Sequence, residues 1–152
     1  MINSRDLKDL HPIVAEKAKL LIEACNKRNI FFLVTSTYRD NESQNDLYAQ
    51  GRTKKGGIVT NATGGNSFHQ YRVAFDVVPV VGKALIWDDK SPLWSAIIEE
   101  AHKLGFTSGN DWASFKEKPH LQFTGKQTNY NLALSHFKKG GKLEELLWTN
   151  KN

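Results

Sequence analysis

The run from Ala74 to Val81 constrains the fold more than any other stretch of this sequence. Seven of its eight residues are apolar and most are β-formers, which predicts a buried β-strand. Asp76 is the only charged residue inside it. A carboxylate embedded in an apolar strand costs several kcal/mol unless a metal ion or an arginine compensates its charge. The run therefore predicts a core strand that carries an ion-binding or ion-paired position.

Two of the five histidines stand out by their position along the chain. His69 and His120 each lie between a polar loop and a predicted strand, where rigid ligands are usually mounted. Together with Asp76 they are a plausible three-ligand set for a catalytic zinc, which leaves a fourth position for water. Glu117 would then be the non-ligating carboxylate that handles the protons of that water. The spacing alone is only moderately specific, because such sets also occur by chance.

The remaining patterns predict a sheet flanked by helices. Apolar residues at helical spacing predict a first helix from Pro12 with one buried stripe, and short β-forming runs predict further strands. The loop from 52 to 65 is long enough to suggest a cleft wall, and the stretch from 107 to 114 is expected to be a polar turn region. The buried stripe of the first helix consists of Val14, Ala18, Leu21 and Cys25. The other expected elements are a buried strand over 30–35, a strand over 120–123, and helices over 42–50, 91–105, 129–137 and 142–148.

Length and composition limit the class of protein. The 152 residues are expected to form a single domain that spans the whole chain, with an ordinary core. No run approaches the ~18 apolar residues of a membrane span, and the first six residues lack the apolar core of a secretory signal. One cysteine allows no internal disulfide. The net charge of +5 favours an anionic partner, either nucleic acid or a bacterial cell wall.

Two motifs in order resemble a family of zinc peptidases. Ser67-x-His69 followed by Ala74-x-Asp76, with Glu117-x-Pro119-His120 later, is similar to the D-alanyl-D-alanine carboxypeptidases and L-alanyl-D-glutamate endopeptidases. Further matches to the endopeptidase branch, which includes phage endolysins, lie at 10–12, 38–39, 44, 47–53, 111–112 and 122. The similarity therefore covers about residues 10 to 123.

The resemblance implies a fold, a cofactor and roles for single residues. It implies an α+β domain whose small central antiparallel sheet carries Zn²⁺, held by His69, Asp76 and His120. It also implies that Glu117 is the catalytic acid/base and that Arg39 binds the substrate or the developing oxyanion. From the residues alone, Arg39 could equally form a surface salt bridge. Candidate substrate contacts are Ser67, Tyr71, Gln44 and Trp112. Tyr71 and Trp112 could equally pack in the core.

Two departures from the family pattern affect the cleft more than the metal site. Arg72 replaces the usual glycine of the first motif, which could alter the local turn or place a cation near the cleft. The stretch from 107 to 112 replaces the usual Trp-Gly-Gly-Asp-Trp. The shape of the cleft and its fit to the substrate are therefore less determined by the resemblance than the ligands are.

The function expected from this resemblance is hydrolysis of a peptidoglycan stem peptide at the L-alanyl-D-glutamate bond, as a phage endolysin. We expect a monomer that waits in the host cytoplasm and then acts on the wall, with no nucleic-acid partner and no membrane insertion. One alternative is a D,D-carboxypeptidase that removes the terminal D-alanine. A different class is a non-catalytic module that binds cell wall or nucleic acid through the positive charge.

Overall fold

A computed structural model describes residues 1–113 and 115–148. It has an antiparallel sheet flanked by helices, as the α+β expectation required. The helices are α1 (Pro12–Asn26), α2 (Asn41–Ala49), α3 (Pro92–Lys103) and α4 (Tyr130–Lys138), with short 3₁₀ helices at Leu7–Asp9, Phe68–Tyr71 and Leu143–Leu146. The strands are β1 (Phe31–Ser36), β2 (Ala74–Val81), β3 (Ala84–Leu85), β4 (Thr107–Gly109) and β5 (Glu117–Gln122).

The sheet brings together segments that are distant in sequence. Its strand order is β1-β2-β5-β4, and β3 pairs with the far end of β2. Asp76 on β2 lies directly opposite His120 on β5. Side chains that face each other across two antiparallel strands point to the same face of the sheet. The register alone therefore places this aspartate and this histidine side by side.

The other face of the sheet carries the main core. Phe75, Val77 and Leu121 alternate with the site residues along β2 and β5, and all three are buried. They join the predicted stripe of α1, whose four residues are fully buried. One sheet face thus packs on helices, which leaves Asp76 and His120 on the face that can open to a ligand.

The prediction of a buried strand over 30–35 is wrong in one respect. The strand exists as β1, but it is an edge strand, with Phe31 50% and Leu33 41% exposed. An apolar run does not reveal whether both faces of the strand will be covered. The expected helix over 142–148 is also corrected, because only a 3₁₀ turn forms at Leu143–Leu146.

The expected polar turn region over 107–114 contains a strand instead. Thr107–Gly109 is β4 and pairs with β5, while Ser114 lies outside the described residues. The register shifts between Ser108 and Gly109, so that Gly109 faces Glu117. A Cβ at Gly109 would collide with the Glu117 carbonyl oxygen. This glycine is needed for the close approach of the two backbones.

Within the described ranges, no helix is both long and apolar enough to cross a membrane.

Candidate metal centre

A tight 3₁₀ turn mounts His69 on the floor of the site. Ser67 caps the turn by accepting a hydrogen bond from the His69 backbone N–H at 3.3 Å, and the Gln70 side chain accepts from the Ser67 N–H at 3.0 Å. This reciprocal capping satisfies donors that the turn leaves free. Because both bonds are local, the sequence Ser67 to Gln70 helps to set the backbone that carries the imidazole.

Arg72 ends this turn in a left-handed conformation, with φ of +65°. Glycine reaches that region without steric strain, which explains the glycine in the family pattern. The arginine side chain turns outward, where its guanidinium lies 3.9 Å from the Tyr38 ring centroid and donates to the Asp9 carbonyl at 2.7 Å. Arg72 therefore adopts the backbone conformation that suits the family glycine, and its side chain does not line the cleft.

His69, Asp76 and His120 converge on one point. The Asp76 Oδ1 atom lies 3.1 Å from His69 Nε2 and 3.5 Å from His120 Nδ1, and the three ligand atoms all lie within 4.8 Å of one another. Ligands of a tetrahedral zinc at about 2.0–2.2 Å from the metal would lie about 3.4 Å apart. The spacing of these atoms therefore fits a single zinc ion.

The outer nitrogens of both imidazoles fix which ring atoms face Asp76. His69 Nδ1 lies 2.8 Å from the Thr37 carbonyl oxygen, which can only accept, so that nitrogen carries the hydrogen. His120 Nε2 lies 2.7 Å from Gln122 Oε1 and donates in the same way. When both rings are neutral, their inner nitrogens, His69 Nε2 and His120 Nδ1, point lone pairs at the Asp76 carboxylate. A cation at the point where these three groups meet would satisfy all of them, so the arrangement fits a metal site.

The charges of the cluster are strongly coupled. Burial lowers the pKa of His69, so this imidazole is neutral near pH 7 and can act as a ligand. Burial would raise the pKa of Asp76, but the charges and hydrogen bonds of the two histidines outweigh it and hold this pKa well below its ordinary value. For His120 the contacts with Asp76 outweigh burial and raise the pKa. Because its pKa is held low, the Asp76 carboxylate is ionised near neutral pH.

Glu117 faces the same cavity without joining the cluster. It lies three residues before His120, an odd spacing that would place the two side chains on opposite faces of a regular strand. The irregular pairing of β5 with Gly109 changes this alternation, and both side chains line one cavity. Burial raises the pKa of Glu117. A carboxyl with a raised pKa beside a metal site is suited to take up and release a proton.

Arg39 is buried beside Asp76, so its interpretation as a surface salt bridge is wrong. Its Nη2 atom lies 3.4 Å from Asp76 Oδ2, and its side chain is 9% exposed. Ser36 and Gln44 accept further hydrogen bonds from its guanidinium, each at 3.0 Å. The arginine therefore contacts Oδ2 of Asp76, whereas the two histidines contact Oδ1.

These groups open into a cavity of about 860 Å³. Residues 59–62 of the loop from 52 to 65 form one wall, as expected for a cleft wall, and the start of α4 forms another. Two of the predicted substrate contacts, Ser67 and Trp112, line this cavity. The Trp112 ring lies 5.0 Å from the His120 ring, and so contacts the cluster directly.

The comparisons with known proteins agree with this geometry. Residues 7–126 match the family described as VanY, D-alanyl-D-alanine carboxypeptidase. The chain belongs to this family. It is 42% identical over 123 residues to the peptidoglycan L-alanyl-D-glutamate endopeptidase CwlK of Bacillus subtilis, covering 75% of this chain and 73% of the relative. It is 30% identical to the L-alanyl-D-glutamate peptidase of Listeria phage A118, covering 72% of this chain but only 36% of the phage enzyme.

Solved structures of the VanY type share the fold. The L-Ala D-Glu endopeptidase ChiX of Serratia marcescens superposes with a TM-score of 0.57 at 20% identity, covering 81% of this chain and 89% of ChiX. A vancomycin-resistance D,D-pentapeptidase VanY in complex with Zn(II) gives a TM-score of 0.58 at 17% identity, covering 91% and 83%. The expected α+β sheet fold of a zinc peptidase is therefore confirmed.

In this VanY-family chain, two of the expected substrate contacts lie outside the cavity. Gln44 is fully buried; its side chain accepts from Arg39 and donates to the Ala62 carbonyl at 2.9 Å. Tyr71 donates from its hydroxyl to the Gly65 carbonyl at 2.7 Å and stacks on Phe137. Both hold the cleft wall in place, and neither lines the cavity that Glu117 faces.

Three groups at the site were not singled out as functional from sequence. The Thr37 carbonyl and Gln122 orient the two histidines, and Tyr130 lines the cleft. Gln122 matches the endopeptidase branch and follows His120 by two residues on the same strand, and these two signals could have revealed its role. A backbone carbonyl and the first residue of a distant helix leave no such signal in the sequence.

Proposed function

We propose that this VanY-family peptidase uses zinc to cleave the stem peptide of peptidoglycan at the L-alanyl-D-glutamate bond. The observation that carries this proposal is the convergence of His69, Asp76 and His120 beside Glu117 in one cavity. The printed activities of CwlK and of the phage relative supply the choice of bond. The peptidase class follows from the family, so a non-catalytic binding module is not retained.

Zinc would be held by His69 through Nε2, by His120 through Nδ1 and by Asp76 through Oδ1. When bound, it would polarise the scissile carbonyl and lower the pKa of the attacking water. The chain contributes the orientation: the Thr37 carbonyl and Gln122 hold the two rings in the tautomers that ligation requires. The ligand set remains part of the proposal.

Glu117 is the proposed acid/base. Its carboxylate accepts a proton from the attacking water and then donates that proton to the nitrogen of the leaving amine. Its raised pKa favours the first step, because the conjugate base of a weaker acid is a stronger base toward the attacking water. Glu117→Gln should therefore abolish cleavage while the metal ligands stay intact.

Arg39 is proposed to stabilise the negative charge that develops on the carbonyl oxygen. Its guanidinium is held by Ser36 and Gln44, and a fixed donor needs no reorganisation as charge develops. Loss of one such donor typically costs about 3 kcal/mol, or roughly two orders of magnitude in kcat. Arg39→Lys keeps the charge but loses the fork that Ser36 and Gln44 hold, so it should lose most of this effect.

Product analysis tests the proposed bond. Zinc-loaded protein is incubated with a purified disaccharide pentapeptide, and the products are separated and identified by mass spectrometry. An L-alanyl-D-glutamate endopeptidase leaves L-alanine on the glycan-attached fragment and releases a peptide with D-glutamate at its amino end. Glu99→Gln, which changes a carboxylate on the exposed face of α3, is the matched control for Glu117→Gln.

D,D-carboxypeptidase activity is the second candidate, because the family description names it. Such an enzyme would release free D-alanine from the same pentapeptide and would leave the L-alanyl-D-glutamate bond intact. The two products differ in mass and are seen in one experiment. Release of D-alanine alone would replace the first proposal with the second.

We further propose a bacteriolytic role as a monomeric single-domain enzyme, released from the host cytoplasm to reach the wall. The similarity to the Listeria phage enzyme supports this role. Protein added from outside should lower the turbidity of suspended cell walls, and the Glu117→Gln protein should not. Sedimentation of the active protein at the mass of a single chain would support the monomer.

A further inference from the structure

The start of α4 forms a wall of the cleft beyond the part of the chain that matches the family. The match ends at residue 126, and α4 begins at Tyr130. Tyr130, Asn131 and Leu134 line the same cavity as Glu117. The cleft is therefore completed by a segment that the family motifs do not describe, and its side chains can make the cleft selective for one substrate.

The ring of Tyr130 is fixed by aromatic side chains on both sides. Its centroid lies 5.1 Å from the Phe68 ring and 5.7 Å from the Trp112 ring, with both contacts edge-to-face. Trp112 in turn contacts His120, and Phe68 precedes His69. The phenol is thus held between the two segments that bring the histidines to the site, and it is still 37% exposed. A fixed ring loses little further entropy when its hydroxyl binds a ligand.

The hydroxyl of Tyr130 is a hydrogen-bond donor at neutral pH. Burial and the negative charge of Glu117 raise the pKa of Tyr130, so the phenol keeps its proton. Tyr130 and Glu117 line the same cavity. A neutral O–H beside a carboxylate can donate to another acceptor in the cavity.

The cavity that Tyr130 shares with Glu117 defines which part of the substrate Tyr130 faces. In the proposed mechanism Glu117 passes its proton to the leaving nitrogen, so groups beside Glu117 lie on the amine side of the scissile bond. In an L-alanyl-D-glutamate bond, the carbon next to that nitrogen carries the α-carboxyl group. A carboxylate bound there would lie near the negative charge of Glu117, and it needs a donor to offset that repulsion and to replace its hydrogen bonds with water.

We propose that Tyr130 is a specificity-determining residue whose hydroxyl donates a hydrogen bond to the α-carboxyl group of the D-glutamyl residue. This inference rests on the proposed L-alanyl-D-glutamate cleavage and adds the group that recognises the residue after the scissile bond. The ring is a part of the cleft wall, and the hydroxyl is the part that selects the substrate.

Tyr130→Phe separates these two parts, because it keeps the ring between Phe68 and Trp112 and removes only the hydroxyl. Two synthetic muramyl peptides are compared, one with γ-linked D-glutamate and one with 4-aminobutyrate in its place, which lacks only the α-carboxyl group. Loss of a hydrogen bond to a charged group lowers kcat/KM by about 10-fold to 100-fold. We expect that loss for wild type on the aminobutyrate peptide and for Tyr130→Phe on the glutamate peptide.

The decisive quantity is the preference of each protein for glutamate over aminobutyrate. Tyr130→Phe should cleave the two peptides at similar rates, and the matched control Tyr48→Phe should keep the wild-type preference, since Tyr48 packs under Arg52 away from the cavity. Calorimetry adds a readout other than activity. The zinc-loaded Glu117→Gln protein should bind the glutamate peptide more tightly than the aminobutyrate peptide. Adding Tyr130→Phe to that protein should make the two affinities equal.

The outcomes separate this inference from the proposed function. A Tyr130→Phe protein that keeps the full wild-type preference, while wild type cleaves the glutamate peptide, overturns the role of the hydroxyl alone. A wild-type protein that cleaves neither peptide overturns the proposed function and the inference together. Equal binding of both peptides to the Glu117→Gln protein also overturns the inference.

Discussion

Replacing Gln122 tests whether the second nitrogen of a ligating histidine must be held in place. Gln122 is 5% exposed, and its Oε1 accepts from His120 Nε2 at 2.7 Å. In Gln122→Leu the buried N–H loses its acceptor, which costs about 1–3 kcal/mol. For a chain of this size, that corresponds to a fall in Tm of about 2–12 °C.

The effect on zinc affinity is the more specific result. Without its acceptor, the ring of His120 is no longer held with the Nδ1 lone pair toward Asp76, and loss of such a partner lowers metal affinity about 10-fold to 100-fold. Gln122→Glu keeps an acceptor at the same position and should retain tight binding. The assay is a competitive zinc titration against a chromophoric chelator, with Tm measured on the same samples.

Gln127→Leu is the matched control for the loss of stability. Gln127 is 9% exposed, and its Oε1 accepts from the Asn129 backbone N–H at 3.2 Å, away from the cluster. It should lose stability and keep the wild-type zinc affinity. If Gln122→Leu behaves in the same way, with lower Tm and unchanged zinc affinity, Gln122 does not orient a metal ligand.

Three further predictions concern other parts of the chain. A general base must be ionised to act, and burial raises the pKa of Glu117 above 4.5, the usual value for a glutamate. When kcat/KM is measured across pH, it should therefore begin to fall on the acid side at a pH above 4.5. A fall only below that pH would contradict this. Gly109→Ala should lower kcat more than zinc affinity, since its Cβ would collide with the backbone of Glu117; unchanged kinetics would refute the required close approach. Cys25 is fully buried, and burial raises its pKa to about 11, so iodoacetamide at pH 8 should modify it only in denaturant, as mass spectrometry would show.

Much of the fold could be predicted because the patterns that encode it are local. The strand Ala74–Val81 and the buried stripe of α1 agree with the structure residue by residue. Both depend on apolar spacing within a single segment. The edge position of β1 and the existence of β4 depend on which strands lie beside them. No pattern within those segments records their neighbours.

The same distinction between local patterns and contacts with distant segments applies to the candidate site. His69, Asp76, His120 and Glu117 stand in motifs with distinctive spacing, and the structure brings all of them to one cavity. Gln44 was expected in the cleft because of its position in a matched segment, yet it lies beneath the cleft wall. Its side chain contacts the Ala62 carbonyl and side chains from other segments, which sequence spacing does not specify.

The claim on which the rest depends is that the two imidazoles and the aspartate share one divalent cation. Zinc content per chain, measured on purified wild-type, His69→Ala and Glu117→Gln proteins after dialysis against buffered zinc, tests it most directly. We expect stoichiometric zinc in the wild-type and Glu117→Gln proteins and almost none in His69→Ala. Stoichiometric zinc in His69→Ala, or none in the wild type, would contradict the shared site.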